Sequence, residues 1–521
     1  MTAQYPQLAA ALLGVWVLYS LVKSVVSKIQ DRRKAQALGC LPPHDVRNPW
    51  FGIPAYLDVV ESARQFKPID YAMRLHARGG NTLQQTVLGT QLITTFEPEN
   101  VKAVLATQFN DFALGTRNKV FGPLLGDGIF TLDGSGWSHS RAMLRPQFVR
   151  EQIADLSMLG EHVNNLFDAI PGDGRPFDIQ DLFYRLTLDT ATEFLFGEST
   201  FCLAPGKAAG SGPLARSGGE KGFAYAFNRC QDDILKRIRA QKLYWLVNPR
   251  EFREAVKTVH EVVEYYVDKA LAKRNTSEEE KNIDSPSSRY VFLEAVASET
   301  QDRKTLRDQM LNILLAGRDT TASLLTSSFF YLARNPDIWD RLRSEILEAF
   351  PASENDDQIT IGRLREVKYL RYFMNEVLRL IPPVPFNHRF ATKDTTIPVG
   401  GGPDGKSPVF VKKGMKVSYI VGVMHRRKDI WGEDAEQFRP ERWYEKNKYG
   451  WEFLPFNGGP RICLGQQYAL TEASYVLVRL LRKIERVENA QPEIVDPLLK
   501  LQLTVGHAHG VKVRLHNSKL V

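Results

Sequence analysis

Near the end of this 521-residue chain, Phe456, Gly459, Arg461, Cys463 and Gly465 stand in the spacing F-x-x-G-x-R-x-C-x-G. Five fixed positions would match by chance on the order of 10⁻⁴ times in such a chain. The chain has 4 cysteines, Cys40, Cys202, Cys230 and Cys463, too few and too scattered for a disulfide framework, and none sits in a C-x-x-C pair. A lone cysteine is ordinarily a small buried hydrophobe, which suffices for the first three. Around Cys463 the neighbours point to something else. Glycine-permitted turns let backbone N–H groups aim at a sulfur and favour its anion. The run that follows, "CLGQQYALTEASYVLVRLL", has helical apolar spacing, so the sulfur stands just before the positive end of a helix. Haem-thiolate iron requires such an arrangement, with Cys463 as metal ligand and Arg461 in reach of a haem propionate.

A second pattern, "AGRDTT" at 316–321, interrupts a long apolar helical run. Gly317 weakens the helix there, and Thr320 can bond back to the carbonyl of Ala316, loosening it locally. Such a groove makes room for O₂ and water, with Asp319 and Thr320 feeding protons inward. The bland alternative is a solvent-facing polar patch. A third pattern is "EVLR", Glu376–Arg379, followed by "FRPERW" at 438–443. E-x-x-R alone says little, since i, i+3 ion pairs are common on helices. Its weight comes from its order: groove helix, E-x-x-R, P-E-R, then the cysteine loop.

These elements need a scaffold. Content that is 43% hydrophobic can bury a large core, and neither a long Ser/Pro linker nor a repeat divides the chain. The body is expected to be one large domain, residues 51–521, after a linker at 27–50. Low-complexity sequence is confined to 204–222, expected to be a flexible surface loop. Net charge +8 is spread along the chain rather than massed in a stripe, which argues against a nucleic-acid partner and suits an acidic protein or an anionic membrane. At the N-terminus, Leu8–Val22 is apolar and uncharged, and "SVV" extends the run to Val26 past Lys23. Its 19 residues reach roughly 28 Å as a helix, enough for a thin bilayer. Lys and Arg follow this run and none precedes it, so residues 1–26 are expected to be a signal anchor with the rest of the chain in the cytosol.

Taken together, the chain resembles the microsomal cytochromes P-450 from the anchor to the C-terminus. The resemblance implies a mainly α fold with a small β region, the triangular prism of that family, behind an N-terminal transmembrane helix. It implies haem b as cofactor, with Cys463 as axial ligand and Phe456 in the haem-binding loop. Asp319 and Thr320 become the proton-delivery pair, and Glu376, Arg379 and Arg442 a structural ion-pair triad. "WSHSR" makes Trp137 and Arg141 propionate-binding residues, and Arg389 in "NHRFA" another. Segments such as "ATQFNDFALGTRNK" and "LPFNGGPRICLGQQYALTEASYVLVRLL" resemble the fungal alkane-assimilation branch, whose members hydroxylate the terminal methyl of n-alkanes and fatty acids. The insertion "GGGPDGKSP", 400–408, recurs in that branch; no helix follows it, so it reads as a hairpin turn rather than a phosphate loop.

The implied enzyme is a single-pass protein of the endoplasmic reticulum membrane that uses O₂, an NADPH–cytochrome P-450 reductase and a small apolar substrate. Phe121, Phe130, Leu314, Leu315, Val384, Phe386 and Val505 are the expected channel residues, with Val384 and Phe386 as its constriction. Three other readings remain at this stage. They are an isomerase or dehydratase on the same fold, a fungal secondary-metabolite monooxygenase, and a non-catalytic membrane haem-binding protein. The first two differ from the main reading in reaction or substrate; a binder would need neither Asp319 nor Thr320.

Overall fold

The structure, a computed structural model, describes residues 4–148, 156–204, 206, 212–214, 222–279, 290–445 and 449–517. Most of the 204–222 stretch lies outside the described residues. Helices predominate, with small sheets beside them. The chain forms two compact units. One comprises Met1–Leu57, Met73–Ala113 and His388–Ile420; the other comprises Asp58–Ala72, Leu114–Asn387 and Val421–Val521.

The first unit is built on a six-stranded sheet. Its strands run in the order His44–Val46, Thr82–Val87, Thr90–Thr95, Lys416–Ile420, Phe386–Ala391, Phe112–Ala113. Thr82–Val87 and Thr90–Thr95 make an antiparallel hairpin, and Thr90–Thr95 pairs in parallel with Lys416–Ile420. A separate hairpin joins Thr395–Gly401 to Ser407–Val411, with Gly402 and Gly405 at φ +79° and +68° in its turn. This is the expected turn of the 400–408 insertion: two left-handed positions that glycine fills without strain. The N-terminal helix runs from Gln4 to Ala37, well past the apolar stretch, so 27–37 is helix rather than linker. "KIQDRRKAQA" is made of good helix formers, and nothing stops it before Gly39 at φ +66°. Apolarity marks how much of this helix suits a membrane; it does not mark where the helix ends. Lys34 pairs with Asp394 at 2.6 Å and Asp31 with Lys412 at 2.8 Å, which ties the helix's last turns to the sheet loops.

The second unit is organised around the helix Arg303–Leu332. Asp302 caps it, accepting from the Thr305 N–H at 2.9 Å. From Leu306 onward nearly every side chain is buried, since the helix packs against Ile179–Phe196, Lys368–Leu380, Gln466–Lys483 and Val505–His507. Polar side chains such as Asp308, Asn312, Arg318 and Asp319 are buried together with the apolar ones, because no face of a helix so placed is left to water. The expected strand runs form Lys416–Ile420 in the first unit and Lys512–Asn517 in the second, the latter paired with Ile484–Asn489 and Phe177–Asp178.

Candidate active site

The cysteine loop is closed by a hydrogen bond from the Cys463 N–H to the Phe456 carbonyl at 3.0 Å. Asn457 and Gly459 turn it through left-handed φ values of +61° and +67°. At Gly458 a Cβ would lie 2.7 Å from the Trp451 ring, so only glycine fits. The helix Gln466–Lys483 starts three residues beyond Cys463. Water can touch this sulfur, yet protein crowds it so closely that burial is the main cause of its raised proton affinity. The Gly465 N–H and the charge of Arg141 act against that rise without cancelling it. Iron bound there would hold this sulfur as its thiolate.

Two arginines frame the loop. Trp137 and Arg141 lie one turn apart on the helix Gly134–Leu144. Arg141 donates to the Ile462 carbonyl at 3.0 Å, while Arg461 donates to the Leu132 carbonyl and pairs with Asp133, each at 2.8 Å. Its guanidinium lies 4.4 Å from the centre of the Trp137 ring. Among the described residues no carboxylate pairs with Arg141, and burial and the charge of Arg145 lower its affinity for its proton. Arg389 is buried on its strand in the first unit, where it donates to the His388 carbonyl at 2.8 Å and lies over Tyr419.

On the helix Arg303–Leu332 the α-helical pattern continues unbroken through Gly317, contrary to the loosening expected there. The Thr320 hydroxyl does donate to the Ala316 carbonyl, at 2.7 Å, but as an addition to the helix rather than a substitute for its bonding. Asp319 is buried; desolvation pushes its carboxyl above the ordinary range, with Arg318 and a hydrogen bond from Gln231 pulling back.

The ion-pair cluster is complete. Arg379 gives Glu376 two bonds of 2.9 and 2.8 Å and caps the carbonyls of His425 and Ala435. Arg442 and the Trp443 indole also reach Glu376, at 3.1 and 3.0 Å. Neither side chain of the Glu376–Arg379 pair is exposed at all. Such burial is tolerable only because every lone pair and proton is used.

The expected channel residues all fall in the second unit. Phe130 remains 36% exposed and Val384 40%, whereas Leu315 and Val505 are buried and Phe121 and Phe386 half-buried. The buried Asn312 joins two of the segments: its amide donates to the Leu125 carbonyl at 2.9 Å and accepts from the Phe130 N–H at 3.0 Å. The Val505 N–H bonds the Pro383 carbonyl at 3.0 Å and so sets that strand beside Val384.

Sequence reasoning missed Asn312 and its neighbour Asp308, which accepts from the Asp127 N–H at 2.8 Å. A signal was present in "LLGDG". A Cβ on Gly126 would fall 2.1 Å from Asp308, and one on Gly128 would fall 2.2 Å from Asn312, so this glycine pair marks the close approach. Glu472, on the helix after Cys463, was also missed. It is buried, accepts from the Thr190 hydroxyl at 2.7 Å, and is pushed up to about 7 by burial despite hydrogen bonds from Thr190 and Thr321.

These residues fit a haem. Among the described residues no group of three or more His, Cys, Asp or Glu could hold a metal ion. A lone sulfur can therefore hold only an ion that brings its own equatorial ligands, and Arg141, without a carboxylate partner, suits an anionic edge of such a macrocycle. The site defines a haem-thiolate protein.

Comparison with known proteins agrees. The family model described as Cytochrome P450 matches residues 46–506. Cytochrome P450 52A3-A of Candida maltosa is 50% identical over 88% of this chain and 88% of its own length. Cytochrome P450 52A12 of Debaryomyces hansenii is 46% identical over 99% and 98%, and Cytochrome P450 52A3-B of Candida maltosa 49% over 90% of each chain. This chain belongs to the cytochrome P450 family. It is a haem-dependent monooxygenase, and membership implies a redox partner and O₂.

Proposed function

We propose that this chain is a membrane-anchored monooxygenase that hydroxylates the terminal methyl of n-alkanes or fatty acids, supplied with electrons by an NADPH-dependent reductase at the endoplasmic reticulum. The observation that carries the substrate reading is the apolar surface in the unit holding Cys463. Phe130 and Val384 stay uncovered while the backbone around them is pinned by Asn312 and Val505. Large apolar side chains left open beside a fixed backbone suit an alkyl chain, with each CH₂ removed from water contributing roughly 0.8 kcal/mol. The resemblance to the alkane-assimilation branch supports the same reading.

Haem iron held by Cys463, when bound, supplies the activation of O₂ that places one oxygen atom in a C–H bond and releases the other as water. The chain's own part is to hold and guide. Arg141, Arg461 and Trp137 bind the cofactor's charged edge, and Arg389 is assigned the same task from the family pattern. Thr320 spends its hydroxyl proton on Ala316, so its oxygen lone pairs are left to accept a hydrogen bond from water or from Asp319. Asp319, whose buried carboxyl binds a proton more readily than usual, is the group that takes and passes protons. Val384 and Phe386 narrow the approach so that the end carbon reaches the reacting position before weaker interior C–H bonds.

Purified enzyme, turned over with reductase on dodecane and lauric acid, should give chiefly the end-carbon alcohol. Val384→Ala or Phe386→Ala should move product toward the penultimate carbon. Purely in-chain products from the unmodified enzyme would overturn the terminal-hydroxylase reading and leave family membership intact.

A further inference from the structure

The "AGRDTT" stretch holds one charge that the mechanism above does not use. Arg318 sits in the middle of the central helix with 5% of its surface exposed, where an arginine is expensive. Its guanidinium lies 5.7 Å from the ring centres of both Tyr184 and Phe227. One nitrogen donates to the Asn228 side-chain oxygen at 2.6 Å, and the carboxylate of Asp319 lies 3.5 Å away. The Nε–H is sealed from water and has no partner among the described residues.

The contrast with Arg379 is informative. Arg379 grips Glu376 with two bonds and spends its remaining protons on carbonyls. A cation present only to knit helices together would be expected to look like that. Arg318 instead keeps one strong hydrogen bond, one long ion pair and one orphan N–H. At 3.5 Å inside the protein the attraction is still strong, so Arg318 favours the charged form of Asp319 without gripping it in a close hydrogen bond.

We propose that Arg318 is a positioning residue for proton delivery: it is the buried counter-charge that parks Asp319, and through Asn228 and Gln231 it couples that carboxyl to the helix Phe223–Arg239. The inference rests on the reading of Asp319 as the proton-passing group. Asn228 and Gln231 lie on one helix, nearly one turn apart, and meet Arg318 and Asp319 respectively. Any shift of that helix on substrate entry would reach the acid directly.

Few other charges face this pair. From the helix Ile179–Phe196 comes Tyr184, whose hydroxyl is held protonated by burial and by the nearby Asp319 charge. The same helix carries Asp189, which is satisfied by the N–H groups of Cys202 and Leu203 at 2.7 and 3.0 Å and by the Thr200 hydroxyl, and the ion-paired Arg185. On Phe223–Arg239, Asp232 accepts from Gln502 at 3.2 Å and Asp233 is taken by Arg229 and Lys236. Thr504 adds a hydrogen bond to Tyr184. Arg318 is thus the cation that sets the field at Asp319.

Infrared difference spectra of the haem-loaded enzyme across pH read the carboxylic-acid C=O stretch of Asp319, assigned by its loss in Asp319→Asn. Arg318→Gln should raise the midpoint of that band by about 1–3 pH units, because a nearby opposite charge is removed. Arg318→Lys should restore most of it. Product formed per NADPH consumed should fall in Arg318→Gln and recover in Arg318→Lys. Gln231→Leu, on the facing helix, should move the midpoint the same way by less, and serves if Arg318→Gln does not fold. An unmoved midpoint in Arg318→Gln, or in Gln231→Leu if that is the variant that folds, overturns the proposal even where turnover drops. An Asp319→Asn enzyme as well coupled as the unmodified one overturns the proton-delivery reading itself, whatever the midpoint does.

Discussion

Four cysteines on one chain show how little residue type decides by itself. Burial raises the proton affinity of Cys40, of Cys202, and of Cys230, which is pushed up to about 12. Cys463 shares that rise, but of the four it is the exposed one, and a glycine N–H, from Gly465, acts against the rise together with the charge of Arg141. Only a thiolate donates enough electron density to favour O–O cleavage. Cys463→His is therefore expected to shift the reduced CO band away from the thiolate position and abolish hydroxylation. Cys40→Ala, Cys202→Ala and Cys230→Ala should leave the spectrum unchanged. A Cys463→His enzyme with both the thiolate band and its activity would refute the ligand assignment. Spacing singled out Cys463, Asp319 and Thr320 as candidates because each sits in a short local motif. Asn312 and Arg318 were not legible in the same way. Each takes partners more than eighty residues away (Leu125 and Phe130 for one, Asn228 for the other); the glycines of "LLGDG" mark a close approach without naming Asn312, and Arg318 reads locally as one more polar residue of "AGRDTT".

At the scale of elements, the sequence foretold the long central helix well, because a proline-free run with apolar stretches on both sides of "AGRDTT" leaves few alternatives. The junction around Glu376 was weaker as a motif and proves stronger as a structure. Beyond the two arginines, it recruits the Trp443 indole and the Arg439 N–H, the latter at 3.0 Å. His425 packs beside it with a fixed tautomer: its Nε2 accepts the Leu454 N–H at 3.0 Å, so Nδ1 carries the proton and donates to the Arg379 carbonyl at 3.1 Å. Burial and the charge of Arg379 push this histidine down to about 3, so it stays neutral in the folded protein. Within this junction Arg379→Ala would strand Glu376 with too little compensation. Losing one partner of a buried pair costs about 3–5 kcal/mol. The expected outcome is a protein that expresses without stable haem and melts well below the unmodified enzyme. A soluble, haem-loaded Arg379→Ala protein with unchanged melting would show that the junction is not needed for the fold around the haem.

At the scale of the whole molecule, the question is what holds the enzyme to its membrane. The described N-terminal helix is 34 residues long, about 51 Å at 1.5 Å per residue, against a hydrocarbon core of about 30 Å. Its apolar side chains from Leu12 to Val26 are largely uncovered by protein, and its last turns are ion-paired to the sheet loops through Asp31 and Lys34. Length and composition suit one crossing with the charged end outside the lipid. Two forces then compete as the hold: burial of this helix in hydrocarbon, and attraction of a chain with net charge +8 to anionic headgroups. They respond oppositely to salt. Charge attraction fades as the screening length drops from about 8 Å at physiological ionic strength to about 3 Å at 1 M, whereas apolar burial does not weaken. The full chain should therefore stay with sedimented microsomes in 1 M salt and at alkaline carbonate pH. A chain lacking residues 1–26 should keep its thiolate CO band but elute in high salt, because only the screened force and scattered surface contacts remain. If carbonate strips the full chain as readily as the shortened one, the N-terminal helix is not a membrane span, and its exposed apolar face must be covered by something other than lipid.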